Sequence, residues 1–425
     1  MQHPITMAQR HAWLTSLALV LGLLASCVQT PPAPPSAPVP EASVNTPAAP
    51  ERNFTQWIAT VQDEARAAGI RDTTLHMAFD NVRYLPRIVD ADRAQPEFTR
   101  TVWDYLDRAV SPQRVTLGRD KLQKNRRPAQ AASARYGVPA SVLAAIWGVE
   151  SNFGTAFGDI PVIDALATLG FEGRREAWAR AQLLDALRIL QNGDITRAQM
   201  VGSWAGAMGQ TQFIPSVFLA HAVDADGDGR RDIWGSMADV FASTANFVAQ
   251  SGWQKEQAWG AEVRFPIGFD FERIADKMPT PQWAALGVKS MDGAPLPALG
   301  NEAAILLPAG ARGPAFLVGT NFRAILRYNN STSYALAVCL LAQRLDNGPA
   351  VLANWPRELR ALSRSEVQTL QTALSQRGFE TGKPDGVLGP ATQAGIRQYQ
   401  RSEGLVPDGF ADTSLLQRLS LAAAE

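Results

Sequence analysis

Pro139-Ala140-Ser141-Val142-Leu143-Ala144-Ala145-Ile146-Trp147-Gly148-Val149-Glu150-Ser151-Asn152-Phe153-Gly154 is the stretch from which the rest of the chain is best understood. Leu143, Ile146, Trp147 and Glu150 recur at i, i+3, i+4 and i+7, which predicts a helix with a carboxyl group in its apolar stripe. Glu150 stands near the C-terminal end of that helix. Desolvation and the negative end of the helix dipole both disfavour its ionisation. An acid that stays protonated near neutral pH is what cleavage of a glycosidic bond needs, because the leaving oxygen must receive a proton. The competing reading is a glutamate at a fraying helix end, turned back to solvent.

The surrounding chain limits the chemistry to carboxylates. Two of the four histidines, His3 and His11, fall in the N-terminal leader, which leaves a histidine-rich zinc site or a Ser-His-Asp triad poorly supplied. Lys+Arg and Asp+Glu balance at 40 each, so charge gives no case for a nucleic-acid partner. With 425 residues and 46% hydrophobic content the chain can build more than one core.

Outward from the motif, residues 51–345 read as a mainly α domain. Residues 255–320 interrupt it with glycines, prolines and short strand-like pieces, Ala304 to Leu307 and Ala315 to Val318, predicting a small β-containing insertion. A second module spans 363–421. Ser363 or Ser365 caps a helix with Val367, Leu370 and Leu374 on one face. A second helix from about Pro390 carries Ile396 and Tyr399, and a third carries Leu415, Leu416 and Leu419. Between the helices stands a small repeat, Pro384-Asp385-Gly386 and Pro407-Asp408-Gly409, each a turn signal. The fold class expected is therefore mainly α (α+β), with a compact three-helix unit at the C-terminus.

At the other end, Arg10 and His11 precede an apolar run from Trp13 to Ala25, too short to span a membrane comfortably and of signal-peptide length. It closes on Leu24-Ala25-Ser26-Cys27, which resembles a bacterial lipobox. The resemblance implies a signal peptide over 1–26, a lipid on Cys27, and, with Val28 next rather than aspartate, retention at the outer membrane facing the periplasm. Residues 29–50 hold eight of the 28 prolines and read as an extended tether. Cys339 then lacks a disulfide partner and reads as a small buried hydrophobe.

Three segments carry a family resemblance. Trp147 to Gly154, Ser203-Trp204-Ala205-Gly206-Ala207-Met208-Gly209-Gln210-Thr211-Gln212-Phe213-Ile214-Pro215-Ser216, and Leu326 to Ala335 resemble, in this order, the membrane-bound lytic murein transglycosylase B family, glycoside hydrolase family 103. Gly382 to Thr392 resembles the repeat-containing peptidoglycan-binding domain of wall hydrolases. The first resemblance implies a lysozyme-like catalytic domain with Glu150 as the single acid/base. It implies that Ser203, Gln212, Tyr328, Asn329 and Tyr334 line the cleft, with Arg174 and Arg175 as a basic pair along the groove and Tyr105 as a further wall residue. The implied reaction cleaves the β-1,4 bond between N-acetylmuramic acid and N-acetylglucosamine without water, leaving 1,6-anhydromuramoyl ends. Peptidoglycan strands are the implied partner, and the chemistry requires no cofactor. A lysozyme-type hydrolase and a non-catalytic wall-tethering lipoprotein are the alternatives.

One further pattern suggests a metal. Asp224-Ala225-Asp226-Gly227-Asp228-Gly229-Arg230-Arg231-Asp232 has EF-hand-like carboxylate spacing with Gly229 at position six. The expected structural Ca²⁺ site draws on Asp224, Asp226, Asp228, Arg230, Asp232 and Asp239. Gly235 stands where the pattern wants a bidentate glutamate.

Overall fold

A computed structural model describes residues 53–94 and 100–421. The leader, Cys27 and the proline-rich stretch lie outside the described residues.

The motif forms a helix, Ala140–Ser151, but not one with a single apolar stripe. All of its residues except Ala140 and Val149 are buried, so it is wrapped on every side. Helices Pro112–Lys124, Arg126–Tyr136, Met237–Gln250 and Thr332–Leu345 pack around it. Small residues make this possible. A Cβ on Gly148 would lie 2.5 Å from the ring of Phe153, so that ring occupies the place of a side chain. The helix does not fray at its end. Asn152 and Phe153 hold φ of 48° and 58°, and Gly154 follows at 79°. Two non-glycine residues in the left-handed region cost of order 1–3 kcal/mol each and persist only when their surroundings hold them. Phe153 is buried, Asn152 bonds Thr155 (2.8 Å), and the Gly154 N–H reaches the Ser151 hydroxyl (3.1 Å).

The helical body has a main apolar core that runs from Trp57 near its start to Leu345 at its end, with a small satellite cluster of Ile88, Ala165, Leu169 and Ala179. The insertion adds a five-stranded antiparallel sheet: β3 (Gly260–Arg264), β4 (Lys277–Met278), β5 (Lys289–Ser290), β6 (Ala303–Leu306) and β7 (Ala315–Val318), in the order β4-β6-β7-β3-β5. The two-residue strands β1 (Ile160–Pro161) and β2 (Val201–Gly202) pair separately beside the helical body. Strand periodicity explains how the sheet is mounted. Along β7, Ala315 and Leu317 enter the insertion's own core around Trp283, while Phe316 and Val318 enter the main core. A strand buried on both faces reads as a continuous apolar run, as Ala315-Phe316-Leu317-Val318 does.

The C-terminal module consists of helices Arg364–Gln376, Pro390–Ser402 and Thr413–Leu421. Ser363, not Ser365, is the cap, in a full capping box with Glu366. Val367, Leu370, Leu374, Ile396, Tyr399, Leu415 and Leu419 form its core, with Leu416 at the margin. The repeat extends further than its two turns. Gln371 accepts from the Gly386 N–H (2.9 Å) and donates to Asp385 (3.1 Å), and Gln400 does the same to Gly409 (2.8 Å) and Asp408 (2.7 Å).

The module is clamped to the main body, at its β-containing insertion. Asp408 Oδ2 accepts the Ala311 N–H (2.8 Å), Phe410 crowds Gly310, and Arg401 pairs with Glu272 (2.6 Å). The strap between them is fixed too. Glu262 of β3 accepts the Leu352 and Ala353 N–H groups (2.8 and 2.7 Å), Arg357 forks onto Asp107 (2.7 and 3.0 Å), and Trp355 lies against Trp103.

Candidate active site

Glu150 is 3% exposed. Burial pushes its carboxyl up to about 8, against a smaller lowering by the Tyr334 hydroxyl. That hydroxyl donates to Glu150 Oε1 at 2.5 Å, across 184 positions of sequence. The other oxygen, Oε2, has no hydrogen-bond partner among the described residues. No neighbouring carboxylate contributes to the shift. The site thus holds one neutral acid near pH 7, with one oxygen fixed by the protein and one able to act on a ligand.

Three tyrosines surround this acid. Tyr334 is buried on the helix Thr332–Leu345, where the Ser331 cap sets its position one turn in. Tyr328, the last residue of the helix Thr320–Tyr328, stacks parallel to Tyr334 (6.4 Å, 12°) and donates to the Thr211 carbonyl (2.6 Å). Tyr105 reaches the same place from the helix Val102–Ala109. Burial, and then the charge of Glu150, hold its hydroxyl well above the usual range. Asn329 follows Tyr328 in extended backbone, and its Oδ1 is buried without a partner among the described residues, as is the Thr211 hydroxyl. Buried polar atoms normally find partners, so unpartnered ones are available to a polar ligand.

The other expected residues sit differently. Gln212, at φ 52°, gives both amide N–H bonds to the protein, to the carbonyls of Phe157 (2.9 Å) and Gly209 (2.8 Å). The Ser203 hydroxyl accepts the Ala207 N–H (3.1 Å) and closes the 203–207 loop. Both are engaged with the backbone of neighbouring segments. Arg174 and Arg175 converge on the buried Asp92, the second at 3.0 Å. Arg175 also lies over Trp178 and Trp204, which ties the pair to the Ser203 loop. Asp92 and Thr211 escaped the sequence reading. So did Arg114, whose Nη1 donates to the Gly148 carbonyl (3.0 Å) at the C-terminal end of the helix bearing Glu150. Thr211 stood inside a quoted motif, whereas Asp92 and Arg114 carry no local signal.

The Asp-rich loop gathers only half of its expected ligands. Asp224, Asp226 and Asp239 each bring an oxygen within 4.8 Å of the others. Asp228 turns to the Arg230 guanidinium (2.9 Å), and Asp232 accepts the N–H groups of Trp234 and Gly235. Arginine competes for the first, and the turn engages one oxygen of the second, Oδ1. Asp239, fully buried, takes the inner position, and burial pushes its carboxyl up. Carboxylates so placed relieve their mutual repulsion by binding a cation, and oxygen donors suit Ca²⁺.

With this geometry established, comparison with known proteins is informative. The transglycosylase SLT domain profile matches residues 53–343, and the putative peptidoglycan binding domain profile matches residues 363–419. Membrane-bound lytic murein transglycosylase B of Escherichia coli (strain K12) is 36% identical over 217 residues, 49% of this chain. The match spans 57% of that relative's length, little more than half. SltB3 from Pseudomonas aeruginosa, solved in complex with NAG-anhNAM-pentapeptide, superposes with a TM-score of 0.84 at 49% identity, covering 87% of this chain and 100% of that one. The Escherichia coli lytic transglycosylase SLT35 in complex with calcium gives 0.58 at 29% identity, over 70% of this chain and 94% of that one.

Proposed function

The chain belongs to the transglycosylase SLT domain family, and from that premise we propose that it is a lytic murein transglycosylase. Its substrate is the β-1,4 bond between N-acetylmuramic acid and N-acetylglucosamine. The supporting observation is Glu150: buried, protonated near neutral pH, with one oxygen held by Tyr334 and the other unpartnered.

The steps follow from having one acid. Glu150 gives its proton to the bridging oxygen, and the C1–O bond breaks with oxocarbenium character at C1. The carboxylate so formed is stabilised by the Tyr334 O–H. It then takes the proton of the sugar's own C6 hydroxyl as that oxygen attacks C1, closing a 1,6-anhydro ring and restoring Glu150. No water is consumed. Tyr328, Asn329, Thr211 and Tyr105 offer the polar atoms that position the sugar, and Arg174 and Arg175 supply positive charge along the groove. The relatives support this reading, since SltB3 was solved with an anhydro-muramyl fragment.

Peptidoglycan digested with the protein should yield fragments one water lighter than hydrolysis products. Glu150→Gln should yield none while still binding the wall. Reducing ends would make the enzyme a hydrolase, and inactivity of both proteins would leave a scaffold.

Three subsidiary readings accompany this one. Residues 363–421 act as a wall-binding module beside a catalytic domain over 51–345. Asp224, Asp226 and Asp239 hold a structural Ca²⁺. The chain is anchored to the outer membrane through lipid on Cys27, facing the periplasm; no described helix is long and apolar enough to cross a membrane. Palmitate labelling in cells should be lost in Cys27→Ala, and labelling that persists would refute the anchor.

A further inference from the structure

Gly209-Gln210-Thr211-Gln212 gives the site Thr211 and Gln212 and leaves Gln210 without a part in it. Gln210 is buried, and both ends of its amide are hydrogen-bonded. Its Oε1 accepts the Trp147 indole N–H at 2.8 Å, and its Nε2 donates to the Trp234 carbonyl at 2.7 Å. Its backbone N–H donates to the Ile233 carbonyl at 2.9 Å. Trp147 lies one turn before Glu150 on the same helix. Gly154, just beyond the helix end, presses on the same amide, since a Cβ there would lie 2.2 Å from Gln210 Oε1. The far side of the amide rests on a fixed support. The Trp234 indole donates to the Val201 carbonyl (2.9 Å), its backbone N–H to Asp232 (2.9 Å), and the Asp232 N–H to Asp239 (2.7 Å). A single side chain thus joins the last turn of the Glu150 helix, the turn after it, and the segment leading back to the Asp-rich loop.

Resting on the assignment of Glu150 as the acid, we propose that Gln210 is a positioning residue for the reaction, holding the end of the Glu150 helix at its depth in the cleft wall. It does not touch the substrate. It acts through Trp147, one turn before Glu150, and through Gly154, just beyond the helix end. A displacement of about 1 Å at a reacting group can cost on the order of a hundredfold in rate. A helix end that moves outward also readmits water to the carboxyl, removing the desolvation that keeps it protonated.

The experiment cuts the same hydrogen bond from both sides in the full chain. Gln210→Met keeps the side-chain length and loses the amide; Trp147→Phe keeps an aromatic ring and loses the indole N–H together with the volume of the second ring, so kcat and the pH limb are read against its melting temperature. Both should lower kcat on peptidoglycan by roughly ten- to a hundredfold with KM little changed. Both should also move the alkaline limb of the pH–rate profile to lower pH. The double variant should be no worse than the poorer single one, because the bond can be lost only once. Variants that melt lower yet keep kcat and the position of the alkaline limb would reduce Gln210 to a packing residue and overturn the proposal. Should Gln210→Met fail to fold, Trp147→Phe alone decides by the same two readings. If Glu150→Gln stays active in that assay, the premise fails, and the proposal with it, whatever the Gln210 variants do.

Discussion

At the scale of the residue, the property that suits Glu150 to its proposed chemistry also lowers the stability of the fold. Its ordinary carboxyl range is near 4.5, and the folded protein raises it to about 8. Between those values the native state holds a proton that the unfolded chain has released. Stability from this group is therefore complete below about pH 4 and is lost as pH rises through 8. Glu150→Gln removes the ionisation altogether. The variant should melt a few degrees above the parent at pH 8, with the gap closing towards pH 5, as pH-resolved thermal melts will show. The parent's kcat/KM should decline above about pH 8, where the acid form disappears. A gap that stays constant across pH would mean that Glu150 titrates normally. Much of this was legible in sequence, because apolar residues around a glutamate announce desolvation. Tyr334 as its partner was reachable only by resemblance, since no local pattern joins residues 184 positions apart.

At the scale of the element, the sequence was right about kind and less so about context. Periodicity located the helix Ala140–Ser151 but suggested one buried stripe, whereas four helices enclose it. A short apolar helix looks much the same in sequence whether one side or all sides are covered. Strand pieces in the insertion were legible from their apolar runs, with Ala303–Leu306 displaced by one residue from expectation. The Asp-rich loop shows the limit of spacing arguments. Of the six expected ligands, Asp224, Asp226 and Asp239 come together, while Asp228 turns to Arg230 and Asp232 to backbone N–H groups. Calcium added to chelator-treated protein should raise its melting temperature by a few degrees, following RT ln(1 + [Ca²⁺]/Kd). Asp226→Asn, which keeps the shape and removes a charge, should abolish most of that rise. Equal rises in both proteins would place the ion elsewhere.

At the scale of the molecule, two modules that the sequence separates are joined by contacts it does not announce. Asp408 belongs to a turn whose purpose looked local, yet its second oxygen caps the catalytic body at Ala311. The first copy of the turn has no such engagement among the described residues, and it leaves Val387 and Leu388 exposed. Arg401→Glu with Phe410→Ala should release the module, seen as a larger radius of gyration by small-angle scattering. Turnover of short soluble glycans should be unchanged, while turnover of intact sacculi should fall several-fold. An unchanged radius would show that the strap alone holds the module.

With residues 363–421 binding the wall as proposed, the clamp at Asp408 would set a geometric rule for how the enzyme reads its substrate. A module on a loose tether samples every distance within reach and raises local concentration without preference. One bolted to the catalytic body engages productively only where the wall presents its two features at one matching separation. The protein would then work as a pair of calipers, with the gap between Glu150 and the module selecting where on the mesh a cut is made.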